Sequence, residues 1–152
     1  MFSGKRIKIS SMILLALCII LSSVYSATAI SRGEVVYEIM NALDLPVVQE
    51  GSGFADVSSS TPHGDSIQAA KALGILPPLE QFYPSLEATN AEALMFAVRA
   101  LGLFNEAEAL GAVCNFQSGD VPPYLMPYMT IAGEMTPKAP DEMLSDPTAD
   151  VT

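Results

Sequence analysis

Two stretches of this chain can be laid over one another without a gap, and that register constrains the fold more than any other feature. "ISRGEVVYEIMNALDL" (30 to 45) matches "ATNAEALMFAVRALGL" (88 to 103) at a constant offset of 58 residues. Each opens on a hydroxyl residue three places before a glutamate, Ser31 with Glu34 and Thr89 with Glu92. That is the spacing of a capping box, in which the hydroxyl accepts a free backbone N–H of the first helical turn and the glutamate reaches back to the cap. Behind the caps, Val36, Ile39, Met40 and Leu43 take the places of Leu94, Ala97, Val98 and Leu101. An i, i+3, i+4, i+7 stripe buries one face of a helix, so both stretches are predicted helices, with Glu38, Asn41 and Arg99 turned to solvent. Gly102 offers the left-handed helix end, and Asp44 holds that place in the first copy.

Between the copies, Asp65 stands three residues before Gln68, again the spacing of a cap and its partner, and Ile67, Ala70 and Leu73 form a shorter apolar stripe ending at Gly74. Phe54-Ala55-Asp56-Val57 ahead of it reads as an apolar plug and turn, followed by a loop of Ser58, Ser59, Ser60, Thr61 and Pro62. A weaker echo of the middle helix follows as "DVPPYLMPYMTIAGEM", with Gly133 placed 59 residues after Gly74. The stretch "PPYLMPYM" reads either as an irregular last helix on the core or as a docking surface. A period near 58 built from helix pairs implies units that bury their faces against their neighbours.

The N-terminus has the three parts of a secretory signal: Lys5, Arg6 and Lys8, an apolar run from Met12 to Leu21, and Ala27-Thr28-Ala29 as a cleavage site. The run is shorter than the ~20 residues of a membrane span, and Leu17 before Cys18 argues against a lipoprotein. Cleavage after Ala29 leaves Arg32, Lys71, Arg99 and Lys138 against seventeen acids, a net charge of −13. Such a surface repels nucleic acid and anionic lipid. Cys114 is then the only cysteine, so no intramolecular disulfide forms; with one histidine, a zinc cluster has too few ligands.

These residues resemble the S-layer homology family. The family pattern is an apolar-Asp turn, a helix ending in Gly-Ile, Phe-x-Pro, and a Thr-Arg-Ala-Glu box opening a second helix. Here "FADV" (54 to 57), "SIQAAKALGI" (66 to 75) and "FYPSLEATNAEALMFAVRALGL" (82 to 103) follow it in order. The resemblance implies an all-α fold of tandem helix-loop-helix repeats of the S-layer homology type. It sets a signal peptide at 1–29, a half repeat at 30–53, a full repeat at 54–103 and a partial repeat at 104–135. The acidic, proline-bearing tail at 136–152 is expected to be disordered.

The family holds exported proteins at the cell surface without catalysis, binding secondary cell-wall polysaccharide or peptidoglycan-linked glycan between repeats. The expected location is therefore the cell envelope, with no cofactor, no metal and no enzymatic activity. No nucleophile-base constellation contradicts this, and Glu34 and Glu92 read as caps rather than catalytic acids. The glycan-binding candidates are Arg32 and Ser31 of the first box, His63, Tyr83 and Asn90. Arg32 is the one box arginine present; its counterpart is Asn90, the family's tryptophan is missing with Pro62 and His63 in that region, and "LPPLEQ" (76 to 81) replaces a glycine-bearing loop. Phe82 is expected in the core and Tyr83 at the surface. These departures support a second expectation from another class: a secreted protein-interaction module that keeps the scaffold, with an envelope protein or a second copy as partner.

Overall fold

A computed structural model of the chain describes residues 29–47, 53–111, 121–135 and 141–151. The described residues are helical, with isolated β-bridges in place of strands. Among the described residues six helices follow one another: α1 (Arg32–Ala42), α2 (Gly64–Ala72), α3 (Asn90–Ala100), α4 (Phe104–Leu110), α5 (Met126–Glu134) and α6 (Asp141–Ser145). Helix α1 packs on α2 and α3, while α3 packs on α5 and α6, and α4 rests on α5. No helix among the described residues is long and apolar enough to cross a membrane. Residues 1–28 of the expected signal peptide (1–29), and Cys114, lie outside the described residues.

Local chemistry explains why α1 and α3 start where they do. Thr89 Oγ1 accepts the Glu92 N–H at 3.3 Å while Glu92 Oε2 accepts the Thr89 N–H at 3.2 Å, a complete capping box. Ser31 Oγ accepts the Glu34 N–H at 3.2 Å, with Glu34 itself exposed. Beyond the caps, the first-turn N–H groups of a helix need acceptors from elsewhere. Arg32 and Gly33 donate theirs to the carbonyls of Leu86 and Pro84, at 2.8 and 2.9 Å. Asn90 and Ala91 donate theirs to Ala149 and Pro147, at 2.9 Å each. The turns "PSLE" (84 to 87) and "PTAD" (147 to 150) thus serve the two helix starts alike.

Three extended residues then close a ring: Ala88 N–H donates to Ile30, Val151 N–H to Ala88 and Ile30 N–H to Val151, at 2.9, 2.7 and 2.9 Å. The 141–151 stretch is accordingly not the disordered tail its composition implied. Met143, Pro147 and Val151 are buried, and its carbonyls supply the acceptors the α3 terminus lacks. A few apolar residues placed on an unsatisfied helix end outweigh the polar average of the segment.

Three further local expectations are corrected. Helix α2 is capped by His63 in a left-handed conformation (φ 58°), so Asp65 sits inside the first turn, and Gln68 Nε2 donates to the Val57 carbonyl at 3.0 Å instead of serving a cap. Gly133 lies within α5 rather than ending it, because buried Met129, Ile131 and Ala132 carry the helix to Glu134. Pro127 is tolerated there, since first-turn residues have no intrahelical N–H bond to lose. Arg99 is not turned to solvent: its Nε and Nη2 donate to the carbonyls of Gly74 (3.1 and 2.7 Å), Nε also to Ile75 at 2.7 Å, and Nη1 to Tyr128 Oη at 3.1 Å. It closes the C-terminus of α2 onto α3 and α5, a use of the guanidinium fork that helical periodicity does not encode.

The core runs along both stripes. Val36, Ile39 and Met40 are buried on α1, and Ala91 with all of Ala93 to Val98 on α3, the central helix. Phe54, Phe82 and Phe96 form a tilted aromatic stack with centroids 5.2 and 6.0 Å apart.

Candidate functional site

The site is built where α1 meets the 82–87 turn. Asp56, in the "FADV" turn, accepts the Phe82 N–H on Oδ1 at 2.9 Å and the Tyr83 N–H on Oδ2 at 2.6 Å. This clamp holds Tyr83 in the left-handed region (φ 57°), a conformation costing a residue with a Cβ about 1 kcal/mol. The result is a sharp turn that buries the Phe82 ring and leaves Tyr83 half exposed. Gly33 lets the turn come close: a Cβ there would stand 3.2 Å from the Pro84 carbonyl oxygen.

Arg32 lies on this floor. Its guanidinium carbon sits 4.8 Å above the centroid of the Phe82 ring, and its Nη2 is 3.7 Å from Glu92 Oε1, longer than a charge-assisted hydrogen bond. The side chain is only 12% exposed, yet its Nε is buried without a hydrogen-bond partner. The guanidinium thus sits over an aromatic ring with its Nε enclosed and unbonded and its Nη2 near a carboxylate too distant to bond it. An anion that reaches this arginine meets its Nη groups, the Nε being buried.

The remaining candidates divide. Ser31 adjoins Arg32, but its hydroxyl is engaged as the helix cap. Tyr83 is fixed beside the same floor, and its hydroxyl donates to Gln81 Oε1. Asn90 is spent elsewhere: Nδ2 donates to the Asp146 carbonyl at 2.7 Å, fastening the 146–151 segment. His63 is exposed at the start of α2, its ring against Tyr37 with centroids 4.3 Å apart. The structure therefore sets Arg32, next to Ser31 in the chain, over Phe82, the chain neighbour of Tyr83, while the contacts of Asn90 and His63 lie with other residues.

Three contributors were not legible as such. Asp56 and Phe82 are 26 residues apart, and only the folded turn makes one the acceptor for the other. Glu92 reads as a cap in the sequence, and the packing of α1 on α3 makes it also the counter-ion of Arg32. Among the described residues, no group of three or more His, Cys, Asp or Glu side chains is placed to hold a metal ion.

Partial burial opposes the charge of Asp56, but the N–H groups of Phe82, Tyr83 and Asp56 itself, with Arg32 nearby, outweigh it and hold the carboxyl below its ordinary range. A lowered folded-state pKa contributes stability that is present above the unfolded value and lost as pH falls through it. Lowering the pH from neutral to about 3 should therefore loosen the 82–87 turn. Asp56→Asn should reduce the pH dependence of the unfolding midpoint over that interval; an unchanged dependence would show that the clamp is not ionic. Glu87 works in the opposite sense. Its hydrogen bond and charge repulsion with Asp150 raise its pKa, so that pairing favours the folded state at acid pH and weakens as Glu87 ionises.

Compared with family models, with curated proteins and with solved structures, the chain matches none. The geometry around Arg32 therefore carries the functional reading.

Proposed function

We propose that this chain is an exported, non-catalytic module of the cell envelope, built from helical repeats of the S-layer homology type, and that it binds acidic cell-wall polymers non-covalently through Arg32. The observation that carries this reading is the guanidinium itself. It sits over the Phe82 ring with a buried, unbonded Nε and only a loose ion pair, and the next residue in the chain after Phe82 is the half-exposed Tyr83. A buried donor without a partner costs about 1–3 kcal/mol, so the arginine is not placed there for stability alone. The half-exposed ring of Tyr83 offers a surface for the apolar face of a neighbouring sugar. The 58-residue register, with helix starts served by equivalent turns, supports the repeat reading.

A second reading, an envelope protein-interaction module, draws on two observations. Asn90 is tied to the Asp146 carbonyl, and Leu86 and Tyr83 of the 82–87 turn are 56% and 50% exposed. Retention of the chain on purified cell-wall sacculi separates the two. Retention should require the secondary polymers and fall at least about tenfold in Arg32→Ala, the factor expected for a charge-assisted hydrogen bond. Undiminished retention on polymer-stripped sacculi would sink the glycan reading.

A further inference from the structure

We infer that the α-ammonium group created at Ile30 when the leader is removed is the counter-charge of the Glu87 and Asp150 carboxyl pair, so that processing of the exported chain tightens the ring joining its helix starts. This rests on the export reading and adds a consequence of processing to it.

The ring is cyclic. Ile30, Ala88 and Val151 each donate one N–H to a neighbour within it and accept one on the carbonyl. They are therefore equivalent corners, and Ala29, Glu87 and Asp150, each one residue before its corner, hold equivalent places. Bridges fix the register of two of these places, with Glu87 opposite Ser31 and Asp150 opposite Thr89. Both acids are exposed, and they lie close enough to share a hydrogen bond. Like charges so close repel one another, in keeping with the raised pKa of Glu87. Among the described residues neither carboxyl joins an ion pair, and Arg32, which follows Ser31, is paired with Glu92 instead.

The third place is where the expected cleavage falls. In the uncut chain it holds Ala29, exposed and uncharged, joined to Ile30 by a peptide bond. Hydrolysis adds one water across that bond: the new Ala29 carboxylate leaves with the leader, and the Ile30 nitrogen stays as an ammonium, the form an α-amino group takes at neutral pH. That same nitrogen donates to the Val151 carbonyl at 2.9 Å, one residue past Asp150. It keeps the bond, gains two further donors, and brings a positive charge to the ring whose other two corners carry the acids. An opposite charge there favours the ionised form of both carboxyls and offsets their repulsion. The gain arrives only once the leader has gone.

Nα-acetylation of Ile30 separates charge from hydrogen bond, because the amide keeps an N–H and loses the ammonium. The chain beginning at Ile30 is acetylated at a pH that leaves Lys71 and Lys138 protonated, and its unfolding is followed in urea at neutral pH and low salt. Acetylation should raise the unfolding equilibrium constant about fivefold, the upper range for exposed ion pairs. The rise should fall below about twofold in ~1 M salt, and also in a chain carrying Glu87→Gln and Asp150→Asn. No rise in wild type, or an equal rise in both backgrounds, overturns the inference. Mass spectrometry of the chain recovered from its own cells should show Ile30 as the first residue. A processed chain beginning elsewhere overturns the inference and leaves the envelope reading standing, whereas a chain kept inside the cell with its leader overturns both.

Discussion

Phe82→Ala should lower the unfolding free energy by about 3–5 kcal/mol, the cost of emptying a large buried aromatic site. The ring is 1% exposed and lies between Phe54 and Phe96 with Arg32 above it, so its removal leaves a hole that three separate segments would have to fill. Urea unfolding measures the loss. Phe82→Leu, which keeps most of the apolar volume, should recover more than half of it. A loss below about 1 kcal/mol for the alanine variant would mean that the 82–87 turn is not tied to the core through this ring. The same substitution removes the floor of the Arg32 site, so binding should weaken even under conditions where the variant remains folded.

Gly64→Ala should also destabilise, although it exchanges a poor helix former for the best one. Helix propensity alone favours alanine by about 1 kcal/mol. Against that, a Cβ at position 64 would stand 2.4 Å from the carbonyl oxygen of Ser58. That oxygen cannot easily give way, since it accepts the Thr61 N–H at 3.0 Å while Ser58 N–H donates to Thr61 Oγ1 at 2.9 Å. The steric term should win and leave a net loss of about 1–3 kcal/mol in thermal or urea unfolding. Gly74→Ala makes the control: a Cβ there meets nothing within 4 Å, and only its left-handed φ of 74° costs energy. A stabilised Gly64→Ala variant would show that the Ser58 to Thr61 turn moves freely.

The helices at both ends of the 58-residue offset were legible because their signals are local. A cap three residues before a glutamate and an apolar stripe at helical spacing act within one or two turns of chain. The left-handed ends at Asp44 and Gly102 belong to the same class. Sequence reasoning failed where a group's partner lies far along the chain. Arg99, read as a surface residue, caps a helix 25 residues upstream. The 141–151 segment, read as a disordered tail, supplies the acceptors for a helix start more than 50 residues before it.

The candidate site divides along the same line. Local signals along the chain set which residues open each helix, that Arg32 stands at the first opening and Asn90 at the second, and that Phe82 belongs inside with Tyr83 outside. What those residues do came from packing. It put Phe82 under the guanidinium, made Asp56 the clamp of the turn, set Glu92 opposite Arg32 and spent Asn90 on the Asp146 carbonyl. The physical reason is range. Caps and stripes are enforced by bonds within a few residues, whereas a guanidinium's partners are whichever carbonyls, rings and carboxylates the packing of α1, α2, α3 and α5 brings within hydrogen-bonding distance.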